Sequence, residues 1–179
     1  MTPDPDGQPT DEQYRSAGLA LAHALGSIEV GGPLCTLALV RTQERLEFVR
    51  YPAKTIPVSI VGARRDLRER LSSGGHGVLI YDGFATVNDD RRDAMIVELL
   101  ATDGMARATL IQRYRPARVG GLFGLLRAFV PLTGGVAVIG EPIAHQAISE
   151  SASAALKRGL AEHPEGRRLF GLRRDVAFA

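Results

Sequence analysis

Asp103-Gly104 is the feature that most constrains this chain. It lies between two apolar-rich runs, residues 94–101 and 105–114. Asp-Gly favours a two-residue hairpin turn because both central positions need positive φ. A turn centred there sets Leu99 opposite Ala108, Val97 opposite Leu110 and Glu98 opposite Thr109. Side chains alternate between the two faces of a sheet. Met95, Val97, Leu99, Ala106, Ala108 and Leu110 then share one face, which is the expected core. Ala94, Ile96, Glu98, Leu100, Arg107, Thr109, Ile111 and Arg113 share the other, which is mixed in character.

Asn88-Asp89-Asp90 marks a preceding turn. A tight turn at Asp89-Asp90 adds residues 77–86 as a third strand, so that residues 76–115 form an antiparallel meander. Phe84, Ile80 and Asp82 fall on its core face, and Tyr81 lies opposite Glu98 with Arg107 on the diagonal. A carboxylate on a core face needs a partner or a raised pKa. Gly83 suggests a bulge that would re-aim Asp82.

Around the meander, Thr10 with Gln13 reads as a capping box opening a helix over residues 11–25, which Gly26 ends. Residues 34–40 and 46–51 read as strands. Pro52 and Pro57 break the chain. Residues 58–71 read as a helix with Ile60, Val61, Ala63, Leu67 and Leu71 on its buried side. A strand over 136–140 and a helix over 148–163 follow, the latter burying Ala152, Ala155, Leu156 and Leu160 and stopped by Pro164. The expected fold is α+β, a single domain with a mainly antiparallel sheet and helices packed on it. Its order is α-β-β-α-β-β-β-(short α)-β-α. Residues 1–10, acidic and rich in proline, read as a disordered lead-in, residues 11–163 as the domain, and residues 164–179 as a basic tail, arm or final strand.

The chemistry-bearing residues form no strong motif. The run Ser73-Gly74-Gly75-His76-Gly77 is rich in glycine, yet it follows a helix and enters a strand, the reverse of a phosphate cradle. No pair of histidines has metal-ligand spacing, there is no nucleophile elbow, and no cofactor is implied. The single cysteine, Cys35, sits in an apolar run and reads as a buried, inert strand thiol, which with the absence of an apolar leader suggests a cytoplasmic protein. Of the 22 basic residues, 20 are arginine, alongside abundant alanine and glycine. That bias is compositional and discounts each arginine cluster as a nucleic-acid patch.

Two candidate surfaces remain. Tyr81, Asp82, Glu98, Arg107 and Arg113 on the meander could line a polar small-ligand pocket, in an enzyme or a ligand-binding protein. From residue 106 to 130 there are five arginines and no acid, and an apolar segment follows. Arg115, Arg118, Leu122, Phe123, Leu126 and Phe129 would serve as a surface for self-association, for a protein partner, or for an anionic membrane. A short buried helix over 122–129 is the structural alternative. With no catalytic constellation in view, the expected function is a non-enzymatic binding or regulatory module that self-associates or docks a partner.

Overall fold

The computed structural model describes residues 7–29, 34–116 and 136–172. Among these residues four helices flank an antiparallel sheet: α1 (Asp11–Glu29), β1 (Thr36–Arg41), β2 (Leu46–Tyr51), α2 (Ile56–Leu71), β3 (His76–Val87), β4 (Asp90–Leu100), β5 (Ala106–Arg115), β6 (Ala137–Val138), β7 (Ile143–Ala144), α3 (Glu150–Glu162) and α4 (Pro164–Phe170). The strands run β2-β1-β3-β4-β5-β6, with β7 also paired to β5. The fold is the expected single α+β domain. No helix among the described residues is long and apolar enough to cross a membrane.

The two sheet faces carry separate cores, as alternation along the strands requires. Leu37, Leu39, Val78, Ile80, Met95, Val97, Leu99 and Leu110 pack under α1 and its neighbours α3 and α4. Ala38, Val40, Leu79 and Leu100 pack under Ala63, Leu67 and Leu71 of α2. Each fully buried leucine contributes about 2 kcal/mol by leaving water. Helix α1 is alanine-rich and buried on most sides, because the sheet lies on one flank and α3 and α4 on the other. Gly18 and Gly159 let α1 and α3 approach backbone to backbone. A Cβ on either would overlap a carbonyl oxygen of the opposite helix.

The meander keeps the expected pairing of β4 with β5, Val97 opposite Leu110 and Leu99 opposite Ala108. The turn differs. Gly104 N–H donates to the Ala101 carbonyl and Ala101 N–H to the Met105 carbonyl, and only Gly104 has positive φ, +73°. This is a three-residue loop with glycine in the left-handed position, and the register shift at Leu99/Leu100 absorbs the extra residue. That irregularity turns Ala106, expected in the core, out to solvent.

The turn between β3 and β4 lies one residue earlier than expected, at Asn88 (φ 51°) and Asp89 (φ 61°), both left-handed as a tight hairpin turn requires. Tyr81 is therefore opposite Ile96, and Leu79 opposite Glu98. The register shifts by two, so Ile80 and Asp82 keep the expected face, but Phe84, expected in the core, lies near the far end of the hairpin and is 61% exposed. Pairing runs unbroken from Gly77 to Val87, so Gly83 carries no bulge.

Other boundaries move for local reasons. Gly26 does not end α1, which continues to Glu29; the missing side chain admits Glu165 instead. Helix α2 starts at Ile56, with Pro57 in its first turn, where a missing N–H costs nothing. Val61, expected on its buried side, is 71% exposed, and Ser59 is buried in the helix instead. Cys35 lies just before β1 and is half-buried, not a core strand thiol. The strand expected over 136–140 is two residues long. Pro164 begins a helix: α4 covers the first part of the expected tail, and its Leu169 and Phe170 pack against the α1 core. Arg118, Leu122, Phe123, Leu126 and Phe129 lie outside the described residues. Arg115 closes β5 and is exposed.

Candidate functional site

The five residues expected to line a pocket on the meander do not converge. Tyr81 and Glu98 do meet, on the face under α2. The Tyr81 hydroxyl donates to Glu98 Oε1 at 2.8 Å, and Arg64 of α2 reaches the same oxygen at 2.6 Å. Burial and the Glu98 carboxylate push Tyr81 up to about 12. Arg64, not Arg107, pairs with Glu98, so the group is an ion pair between a half-exposed arginine of α2 and a buried carboxylate of β4. Arg107 instead pairs with Asp103 at 2.6 Å beside the β4–β5 loop. Arg113 lies four residue pairs further along β4 and β5 from Glu98, opposite Ala94. Asp82 is on the other face and accepts a hydrogen bond from the Tyr114 hydroxyl at 2.9 Å. Burial raises its pKa despite that bond, and the charge of Asp93 adds to the rise. Asp82 is therefore hydrogen-bonded on the core face.

A concave site exists elsewhere, at one end of the sheet. A cavity of about 590 Å³ lies where the first turn of α1 meets the end of β1, the start of β3 and the loop after β4. Its wall includes Thr10, Glu12, Arg41, Gly75, His76 and, from the expected set, Arg107. Local rules build each part. The Thr10–Gln13 capping box forms as expected: Thr10 N–H donates to Gln13 Oε1 at 2.8 Å and Gln13 N–H to Thr10 Oγ1 at 3.3 Å. Gln13 Nε2 donates to the Leu100 carbonyl at 3.4 Å, fixing the helix start over the end of β4. Arg41 and His76 are directly opposite each other across β1 and β3. Gly75, at φ +111°, abuts the Arg41 carbonyl so closely that no Cβ fits. The diglycine that failed as a phosphate loop is thus the tight return from α2 into β3.

His76 is the unusual group. It is 2% exposed, and its Nε2 lies 3.0 Å from Ser16 Oγ of α1. Its Nδ1 has no hydrogen-bond partner among the described residues, and neither does the buried Nε of Arg41. Arg41 Nη2 lies 3.1 Å from Glu12 Oε1. Burial, reinforced by the Arg41 guanidinium and opposed by Glu12, lowers His76 to about 4, so the ring is neutral at pH 7. A neutral imidazole whose Nε2 is engaged by a hydroxyl keeps Nδ1 as one free donor or acceptor. An unsatisfied buried polar atom costs roughly 1–3 kcal/mol, and a ligand that reaches it recovers that cost.

Ser16 is 1% exposed and is not part of the cavity wall, so its hydroxyl has no route to a substrate. Among the described residues no cluster of histidine, cysteine and carboxylate side chains could hold a metal ion.

Sequence reasoning missed Arg41, Glu12 and His76 as a group. Thr10, Gln13 and the diglycine were visible individually. Their convergence depends on β3 pairing with β1 after α2 crosses the sheet, a contact between residues 35 positions apart. No family model, curated protein or solved structure matches the chain.

Proposed function

We propose that this protein is a non-enzymatic binding module that takes a small polar molecule into the cavity at the end of the sheet. The observation that carries the reading is His76: a buried, neutral imidazole with an unpartnered ring nitrogen, in a residue that lines a cavity of about 590 Å³. That volume is within the range of small-molecule sites, and a few convergent polar groups in such a space are what fix a ligand's orientation. Uniformly 15N-labelled full chain, titrated with a library of charged and neutral fragments, is expected to show saturable amide shifts at Thr42, Gly75 and His76. A folded protein whose spectrum no fragment perturbs at these positions would remove the reading.

Self-association is a second reading, and β2 supports it. This strand is the sheet's outer edge, with Leu46 43% and Phe48 38% exposed. An edge strand with apolar side chains is a template for another strand. Two copies related by a two-fold axis at Val49 would extend the sheet with Phe48 of each copy opposite Arg50 of the other. Like charges would not face each other in that register. Sedimentation at tens of micromolar is expected to give a dimer, and Leu46→Lys with Phe48→Lys a folded monomer. A monomeric parent chain, or a dimer that the double variant leaves intact, counts against this surface.

A further inference from the structure

The wall of the cavity carries a bias of charge. Arg41 and Arg107 are its cations and Glu12 its one acid, for a formal sum of +1 with His76 neutral; Arg107 is already paired with Asp103, so Arg41 is the cation that matters. The first turn of the 19-residue helix α1 adds the positive end of the helix dipole. Arg41 is incompletely used. Its Nη2 meets Glu12 Oε1 at 3.1 Å, while its Nε is buried with no hydrogen-bond partner. The Nε and Nη2 edge of a guanidinium is a fork that suits two oxygens of one carboxylate or phosphate. Glu12 stands at ion-pair distance from one prong without hydrogen-bonding it, since its Oε1 is itself unpartnered. His76, directly across the strands from Arg41, also lines the cavity, and its buried Nδ1 is likewise without a partner.

We propose that the cavity's ligand is a small organic anion, a carboxylate or a phosphate ester, which takes the Arg41 fork and displaces Glu12 from it. The proposal rests on the cavity-binding reading and adds the ligand class to it. Glu12 then acts as an internal competitor. It holds the guanidinium in place when the cavity is empty and weakens the anion's hold by competing for the same donor.

This role makes an unusual forecast, because neutralising a residue of the binding site should improve binding. The probes are acetate, inorganic phosphate and, as a neutral control, glycerol, each titrated at constant ionic strength into 15N-labelled full chain. Acetate or phosphate is expected to shift Thr42, Gly75 and His76 saturably. Glu12→Gln is expected to tighten that binding by about threefold or more, and Arg41→Gln to weaken it by about tenfold, the range of a charge-assisted hydrogen bond. Arg41→Lys keeps the charge without the fork and is expected to fall between the parent and Arg41→Gln, which keeps the test intact if Arg41→Gln folds poorly. Acetate bound more tightly than phosphate assigns a carboxylate ligand, and the reverse order a phosphate ester. Anions that fail to bind both the parent and Glu12→Gln, or that Glu12→Gln binds no better than the parent does, overturn the proposal. If neutral fragments still shift the cavity amides in that case, the binding site stands and only the ligand class falls. If no fragment does, both fall.

Discussion

Lowering the pH from 7 to 4 is expected to cost the native state about 3 kcal/mol through His76 alone. The unfolded chain takes up this proton near the ordinary histidine value of 6.5, whereas the native ring resists it until about 4. Between those values the unfolded state binds more protons, so stability falls as pH falls. Below about 4 the loss is complete. The cause is burial first, then the Arg41 guanidinium across the strand pair, with Glu12 opposing weakly. Ser16, on α1 above the ring, is uncharged and offers the imidazolium one acceptor only. His23 and His163 are also lowered by burial and add losses of the same sign. Asp82 has the opposite sign: its raised pKa lets the native state accept a proton first, which restores some stability on acidification. His76→Gln isolates the contribution, since an amide can still meet Ser16 and does not titrate. Urea unfolding of both proteins from pH 7 to 4 should show the parent losing about 3 kcal/mol more than the variant. A difference between the two that stays constant with pH would mean that His76 titrates normally in the native state.

What was legible in the sequence was local. The Thr10–Gln13 capping box needs only four residues, and it formed as read. The pairing of β4 with β5 followed from Asp103-Gly104 even though the turn is one residue longer than the dipeptide suggests, because the irregularity at Leu99/Leu100 restores the register. Faces were more robust than partners. The turn at Asn88-Asp89 displaced β3 by two residues, which leaves Asp82 on the core face but moves Tyr81 from Glu98 to Ile96. Asp82 was rightly singled out as needing an explanation. The explanation came from Tyr114 on β5, 32 residues away, rather than from a bulge at Gly83. The Tyr81–Glu98 contact was also anticipated, but its cation came from α2, whose position over the sheet no local signal reports. The cavity was the least legible part. Its wall draws on α1, β1, β3, the loop after β4 and the start of β5, and three of its polar residues look ordinary until β1 and β3 are paired. Glycines misled in the same way: Gly26 reads as a stop signal only if nothing packs against it.

Gly159→Ala is expected to lower the melting temperature by about 4–8 °C, although alanine is the better helix former. Alanine in place of a helical glycine gains about 1 kcal/mol from propensity. At Gly159 the new methyl would overlap the Arg15 carbonyl oxygen and crowd its carbon and the Leu19 nitrogen. These are backbone atoms of a helix buried on most sides, and they cannot rotate away as a side-chain end would. The helices must separate, and the contacts of Ala155, Leu156 and Leu160 with Ala17, Leu21 and their neighbours loosen with them. Overpacking of this kind costs roughly 1–3 kcal/mol, and the rigid obstacle places it at the upper end, for a net loss of about 2 kcal/mol and a shift of about 2–4 °C for each kcal/mol in a domain of this size. Gly62→Ala is the matched control. Gly62 is also helical, in α2, and a Cβ there meets nothing within 4 Å, so the propensity gain is unopposed and the melting temperature should rise by a few degrees. One chemical change then has opposite signs at two positions of the same chain, and thermal unfolding followed by circular dichroism reads both. A rise at both positions would show that α1 and α3 tolerate separation, and that their close approach is not what holds α3 to the domain.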